Sequence, residues 1–455
     1  MTTTPKRTEK TSQTITFKAL IIAVLTILLL IPGLMIQDLI QERKNRSVET
    51  IEKINAKWSN AQTVCGPILC VPYTTTYTDS DNKVIKRLHT LSITPEELNI
   101  NTRLFPEERH YGIYKTILYK SEINVEGCFD KVTSLQIENS VIHWNNAYVT
   151  IGLSDLRGIT DNIEFNLNGH SYTAEATGNS DELSGKILTV GIGDSLAPET
   201  GQPLNFNYKL KLNGSSNINF IPIGKTSKVQ VAGAWSSPGF IGNFSPEHTI
   251  TEKGFEASWS ILRFNRNIPD MWSDNQVESF YDSTFGVSLV DPVDHYQQNM
   301  RSAKYALMFI ALTFVVFFFV EILTRTRIHP IQYLLVGIAL ILFYSLLLSI
   351  SEQINFAVAY LIASVATIGL ITAYTHSIFR NKTQTGALAL FLCILYLFLF
   401  VILQLEDVAL LIGSIGLFII LGIIMYFSRK INWYKQEDTE EEHDTKPETA
   451  SQPTE

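Results

Sequence analysis

The sequence predicts a multi-pass α-helical membrane protein with six transmembrane helices, arranged one plus five, and a large β-rich, sandwich-like domain outside the membrane. Three observations predict this. The stretch HPIQYLLVGIALILFYSLLLSISEQINFAVAYLIA, from His329 to Ala363, reads as two bilayer-length apolar segments joined by the polar turn Ser351-Glu352-Gln353. An α-helix rises about 1.5 Å per residue, so roughly 20 apolar residues cross a hydrocarbon core of about 30 Å. A turn that short makes the two helices antiparallel neighbours. Other segments of this kind lie near the N-terminus and after Lys304, and the long region between them is rich in strand and turn signals instead.

In chain order, residues 1–17 form a polar, basic tail with Lys6, Arg7 and Lys10. KALIIAVLTILLLIPGLMIQDLI follows. Its apolar run outlasts a signal-peptide core and no small-x-small cleavage pattern comes after it, which predicts an uncleaved anchor helix over 18–40, bent at Pro32-Gly33. The β-rich region, 41–302, opens with a polar helix, ERKNRSVETIEKINAKWSNAQ, in which Val48, Ile51, Ile54 and Trp58 recur at spacings of three and four. Gly66-Pro67 is expected to stop it. ILCVPYTTTYT is β-branched and aromatic, and TILYKSEINVEG alternates. NIEFNLNGHSYTAEA and NFNYKLKLNGSSNINF each set Asn-Gly between alternating runs, a strong hairpin signal. Ile163, Phe165 and Leu167 share one face, as do Phe206, Tyr208, Leu210 and Leu212. The likeness of the two stretches hints at a duplication. Turns at frequent spacing predict a sandwich, built as one unit or as two.

Residues 303–428 hold five spans: YALMFIALTFVVFFFVEIL, the central pair, ALALFLCILYLFLFVIL and VALLIGSIGLFIILGIIMYF. In the tail 429–455, the stretch EDTEEEHDTKPETASQPTE after Lys435 is acidic, accounts for part of the net charge of −8, and has almost no large apolar residue to bury, so the tail is expected to be disordered. Sidedness follows from Lys and Arg in the short loops. Arg325 and Arg327 follow the second span, Arg380 and Lys382 the fourth, and Arg429, Lys430 and Lys435 the sixth. The alternate loops hold Glu352 and Glu406-Asp407 without Lys or Arg. Both termini are therefore expected in the cytoplasm, and residues 41–302 outside, which in a two-membrane bacterium means the periplasm.

No basic stripe with interleaved aromatics appears, which argues against nucleic-acid binding. The cysteines are Cys65, Cys70, Cys128 and Cys393, and CGPILC has neither redox nor zinc spacing. Cys65 and Cys70 either close a small disulfide or are two half-buried small residues. No metal or cofactor is expected. Glu321 is the one carboxylate well inside an apolar run. A charge at mid-bilayer costs about 2.5–3.5 kcal/mol, which invites a functional reading. The ordinary reading pairs it with Arg325 at i,i+4 near the interface. Glu352 is a second candidate, set against a solvated loop charge. In Ser154-Asp155-Leu156-Arg157-Gly158, Asp155 and Arg157 are candidates set against a pair that merely stabilises a turn. AWSSPGFIGNFSP reads as a loop with apolar anchors that grips a partner or covers the sandwich. Ala359 and Ala363, and Ala409 and Gly413, are small-xxx-small pairs suited to close helix packing. GxSxG, HExxH and an SxxK placed with SDN and KTG are all absent, and His376 lacks the Gly-flanked serine of a rhomboid protease, so no enzyme is expected.

Several stretches together resemble the inner-membrane protein CreD, or cell-envelope-integrity, family. They are WSNAQTVCGPILCVPY, ERHYGIYKTILYKSEINVEGCF, GLSDLRGI, LNGSSNINFIPIGKTSKVQVAGAWSSPGFIGNFSP with GFEASW, FGVSLVDPVDHY with KYALMFIALTFVVFF, and above all the central pair. Their order and spacing make the match specific between residues 40 and 375; the two tails lie outside it. Cys65 and Cys70 depart from the family's usual pattern, so no disulfide is carried over. The resemblance implies an inner-membrane protein of Gram-negative bacteria with a periplasmic domain, associated with envelope integrity, colicin tolerance and the response to cell-wall antibiotics. It brings no catalytic residues.

The function expected is therefore non-enzymatic: the periplasmic domain binds an envelope protein, lipid or glycan, and the bundle anchors it in the lipid bilayer. A transporter or flippase of an envelope precursor, working through Glu352 or Glu321, is the alternative, and a membrane-bound hydrolase ranks below it. The sequence sets no oligomeric state.

Overall fold

The computed structural model describes residues 11–78, 81–130, 137–180, 185–193, 202–274, 280–289, 295–324, 328–405 and 408–429. The chain divides into two compact units, Lys44–Asp294 on the one hand and Met1–Arg43 with His295–Glu455 on the other.

The first unit is β-rich. One sheet runs in the order β14 (Gly239–Gly242), β18 (Phe285–Ser288), β12 (Asn217–Phe220), β1 (Gln62–Thr78), β6 (Tyr148–Leu153), β10 (Gly185–Gly191) and β9 (Glu175–Ser180). β2 (Val84–Ile93) and β5 (Ser140–Ile142) also pair with β1, and β17 (Met271–Ser273) pairs with β2. The other sheet runs β15 (Glu247–Thr251), β16 (Gly254–Leu262), β13 (Thr226–Gly233), β3 (Glu97–Tyr111), β4 (Tyr114–Phe129), β11 (Leu204–Ser215), β7 (Glu164–Leu167) and β8 (His170–Thr173). Pairing is antiparallel except between β1 and β12 and between β3 and β13. Period-two alternation gives each strand one buried face. Ile163, Phe165 and Leu167, and Phe206, Tyr208, Leu210 and Leu212, are all buried, as their spacing predicts. Side chains of both sheets meet in a single core, where the Trp259 and Phe285 rings lie 5.2 Å apart. One sandwich, not two, accounts for the region.

Several local expectations are corrected. The first Asn-Gly is the expected hairpin turn: Asn168 and Gly169 both take positive φ, 47° and 87°, between β7 and β8. The second is not a turn. β11 runs straight through Asn213-Gly214, and the chain turns at Ser216 (φ 60°) to enter β12 in the opposite sheet. The duplication hint falls with it. Gly214 is needed for space, since a Cβ there would lie 2.3 Å from the buried Tyr119 hydroxyl, which donates to Asn217 O at 2.7 Å. Gly214→Ala should cost about 1–3 kcal/mol in thermal unfolding by displacing that ring. Gly178→Ala, which meets no atom within 4 Å, should be neutral.

Gly66-Pro67 does not end the polar helix, which stops at Trp58. It sits inside β1, where the register with β6 shifts between Cys65 and Ile68. Gly66 takes φ 116°, and a Cβ there would press on Ile151 and Thr150 at 3.0 Å. Cys65 and Cys70 are buried on this strand and are not disulfide-bonded. Five residues of strand separate them by on the order of 15 Å, beyond disulfide reach. The half-buried reading was the nearer one. Burial pushes the Cys65 thiol up, away from reactivity. In the polar helix, Ile51, Ile54 and Trp58 turn partly inward, but Val48 is exposed and Ser47 and Asn55 are buried instead. AWSSPGFIGNFSP forms β14, with Trp235, Phe240 and Phe244 laid against the core, so it covers the sandwich.

The second unit is helical. α1 (Thr11–Leu28) and α2 (Leu30–Trp58) break at Leu29. Pro32 has no N–H for the Leu28 carbonyl and its ring crowds that carbonyl, so the interruption falls one turn before the expected Pro32-Gly33 bend. α3 (His295–Lys304), a helix within the stretch expected to be β-rich, leads into α4 (Ala306–Thr324) through a 43° bend. α5 (Pro330–Ser351), α6 (Phe356–Phe379), α7 (Lys382–Gln404) and α8 (Ala409–Ser428) follow. Their starts carry side-chain caps: His329 with Gln332 for α5, Asn355 for α6 and Asn381 for α7. Among the described residues, four helices are long and apolar enough to cross a membrane, or five if the bent α3–α4 pair is one span. The apolar part of α8, Leu411–Tyr426, is shorter. Ala359 and Ala363 are fully buried at helix contacts, the packing role expected of them. Gly337 on α5 likewise makes room for Leu29, whose Cδ1 would lie 2.2 Å from an added Cβ.

Candidate functional site

The four candidate residues occupy three places. Glu321 lies near the end of α4 and is buried. It accepts hydrogen bonds from the Tyr333 hydroxyl at 3.0 Å, from the Ile328 amide at 3.2 Å, and from the Lys18 ammonium of α1. Arg325, its expected partner, is outside the described residues. The partner found instead lies 303 positions away in the chain, which no helical spacing could indicate. Three donors from separate parts of the chain thus converge on one carboxylate, two on Oε1 and one on Oε2, an arrangement suited to fastening helices together.

Glu352 caps the C-terminal end of α5. Its side chain is only 9% exposed, which overturns the solvated-loop expectation. Tyr296 Oη donates to it at 3.2 Å and Arg43 approaches at 3.9 Å. Beside it, Asn299 Nδ2 donates to Ser351 Oγ at 2.8 Å. Glu321 and Glu352 are not brought together: Tyr333, bonded to the first, and Glu352 are 19 residues apart on α5, about 28 Å at helical rise.

Asp155 and Arg157 do come together. Asp155 is the N-cap of a single 3-10 turn, Leu156–Gly158, and accepts from the Arg157 amide at 3.1 Å. Arg157 clasps it twice, Nε at 2.9 Å and Nη2 at 2.6 Å, and the Asn60 amide adds a bond at 3.1 Å. Arg157 Nη1 donates at 2.6 Å to the carbonyl of Ala56, in the last turn of α2, where a cation suits the helix dipole. Buried Gln62 joins Ser59, the Asp155 carbonyl and the Asn213 carbonyl. The GLSDLRGI stretch is a knot that ties the helix end to the sandwich, so the turn-stabilising reading describes its geometry. The Arg157 hydrogen bonds hold the Asp155 carboxyl below the usual carboxylate range, helped by the Asn60 and Arg157 amides against a smaller burial effect.

Sequence reasoning missed a second network in the sandwich. His89 Nδ1 meets Asp274 Oδ2 at 2.6 Å, and its Nε2 meets Thr75 Oγ1 at 3.0 Å. Burial would raise the Asp274 carboxyl, but His89 and the Thr90 amide hold it below its ordinary value. The order carboxylate, imidazole, hydroxyl resembles a proton relay. Yet the hydroxyl is a threonine's on a strand, and Asp274 also takes the Thr90 amide at 3.0 Å. These bonds fasten β17 to the β1–β2 ribbon. Only the cross-strand register, Tyr73 opposite His89, brings the residues together. The outer side of this ribbon carries an apolar row. Leu88 and Val141 both lie opposite Thr74, with Val84 beyond, at 71%, 61% and 64% exposure. Among the described residues no group of three or more His, Cys, Asp or Glu could hold a metal ion.

The fold and its sites define a helical membrane protein that carries a β-sandwich unit between its first long helix and the rest. The sequence profile described as Inner membrane protein CreD matches residues 14–434. Over 416 residues the chain is 32% identical to the Inner membrane protein CreD of Escherichia coli strain K12, taking in 90% of this chain and 91% of that protein. The chain belongs to the CreD family of inner membrane proteins. Among solved structures it is similar to an M1 zinc metallopeptidase of Deinococcus radiodurans, at 9% identity and a TM-score of 0.20, over 44% of this chain and 42% of that one. A mutant form of that peptidase bound to a Tyr-ser-ala substrate gives a TM-score of 0.20 over 47% and 53%. The chain thus spans about half the length of those solved chains, and at such TM-scores neither fold nor activity carries over.

Proposed function

We propose that this chain supports the integrity of the cell envelope, and tolerance of cell-wall antibiotics and colicins, by binding an envelope component through its β-sandwich unit without catalysing a reaction. The unit lies on the periplasmic side in this reading, with six spans and both termini in the cytoplasm. The distribution of Arg380, Lys382 and Arg429 against Glu352 supports that sidedness. The observation that carries the binding role is the apolar row of Val84, Leu88 and Val141, large side chains left in solvent beside Lys86 and Arg87. On this face Lys86 stands between Val84 and Leu88, and Thr74 between Leu88 and Val141, and large exposed apolar side chains interspersed with a cation support an interaction surface. An envelope protein, lipid or glycan with an apolar part and an anionic group fits it.

The test is complementation of a deletion strain. Leu88→Asp with Val141→Asp should abolish antibiotic and colicin tolerance while membrane abundance stays at the wild-type level. Full tolerance from the doubly substituted chain would remove this reading.

A further inference from the structure

We infer that the helical unit binds a small monovalent cation where α3 packs on the C-terminal end of α5. Tyr296, Asn299 and Ser302 recur every third residue along one buried face of α3. The first two bond consecutive residues at the C-terminal end of α5, its cap and its last residue: Tyr296 Oη donates to Glu352 at 3.2 Å, and Asn299 Nδ2 donates to Ser351 Oγ at 2.8 Å and to the His295 carbonyl at 2.8 Å. Both amide hydrogens of Asn299 are thereby used, and its Oδ1, in a residue 1% exposed, has no partner. One turn further on, Ser302 is 0% exposed and its Oγ has no partner either. A buried acceptor oxygen is costly to leave bare; it calls for a donor or a cation.

The electrostatics favour the cation. Glu352 is nearly buried, and Arg43 stands 3.9 Å from it, beyond hydrogen-bond distance and with its side chain 42% exposed, so the pair leaves the carboxylate's charge only partly offset. The C-terminal end of α5 adds the negative pole of a helix dipole. α3 stops two residues after Ser302, and across the 43° break the Tyr305 amide bonds Ser302 O at 3.1 Å, three residues back instead of four. Interrupted helices beside oxygen-bearing side chains are how ion sites are built within helical bundles. Arg301 and Lys304 are two residues out of register with Asn299 and Ser302, about 200° round the helix, and so lie off this face. One carboxylate with otherwise neutral oxygens matches a single positive charge, whereas calcium draws several carboxylates. This site is independent of whatever the β-sandwich unit binds.

The experiment is thermal unfolding of the full-length protein in detergent. Lithium, sodium or potassium chloride replaces N-methylglucamine chloride at constant ionic strength. At least one of the three should raise Tm saturably. Ser302→Ala and Glu352→Gln should each raise the half-saturating concentration at least tenfold. Ser302→Ala removes a buried oxygen that bonds nothing, so its Tm in N-methylglucamine should not fall below that of the wild type, and it decides the matter alone if Glu352→Gln does not fold. The inference is overturned if no alkali cation outdoes N-methylglucamine, or if Ser302→Ala titrates like the wild type.

Discussion

Replacing Glu321 with alanine should lower the stability of the helical unit by about 2–4 kcal/mol, the cost of breaking a buried charge pair, discounted because Lys18 keeps some contact with the surroundings. The loss comes less from the missing attraction than from what is left behind. Lys18, the Tyr333 hydroxyl and the Ile328 amide would all lose an acceptor at once. The double substitution Lys18→Met with Glu321→Leu should recover only the share of the loss due to the stranded ammonium, because the Tyr333 hydroxyl and the Ile328 amide still lack an acceptor. Unfolding of the full-length protein in mixed detergent micelles measures both. If the single substitution left the midpoint unmoved, the carboxylate would not be the fastening point among α1, α4 and α5.

Asp155→Ala should cost the β-sandwich unit about 2–3 kcal/mol, mostly from the two backbone amides that lose a charged acceptor. The clasp with Arg157 adds little of its own, since that guanidinium is largely in solvent. Acid gives an independent readout. The folded-state pKa of Asp155 is depressed, so its contribution is fully present above the unfolded value of about 3.9 and is lost as pH falls through the folded value. Wild type and Asp155→Asn should therefore differ most near neutrality, and the gap should narrow as pH falls below the unfolded value and through the depressed folded one. A gap that stayed constant from neutrality down to the acid-unfolding limit would show that the charge on Asp155 does not stabilise the fold.

Both residues were visible as candidates in the sequence, and neither partnership was wholly so. Asp155 and Arg157 are two residues apart, close enough to suggest a pair, but the Ala56 carbonyl and Asn60 amide that complete the knot lie about a hundred positions upstream. Glu321 was legible because a carboxylate in an apolar run is costly wherever it sits. Its Lys18 partner was not, because helix neighbours are set by packing. Glu352 was misjudged as a solvated charge: a three-residue polar turn looks open until α3, itself unforeseen, lies against it. α3 is short and mostly polar, and only its Tyr296, Asn299, Ser302 and Ala303 face is buried, so hydropathy gave no sign of it.

The two Asn-Gly stretches show the same divide within the sandwich. Local chemistry is identical in both. At Asn168-Gly169 it makes a turn; at Asn213-Gly214 the ring of Tyr119 occupies the space over the glycine and the strand continues into a corner between sheets.

By itself the sequence determined the class of protein, the apolar helices and the buried faces of strands such as β7 and β11, because apolar length and period-two or 3.6 spacing are properties of consecutive residues. Tertiary structure alone decided the sheet order, the fastening of Glu321 by Lys18, the burial of Glu352 and the unpartnered oxygens of Asn299 and Ser302. Each depends on which distant surface arrives to exclude water, and that is a property of the packed chain.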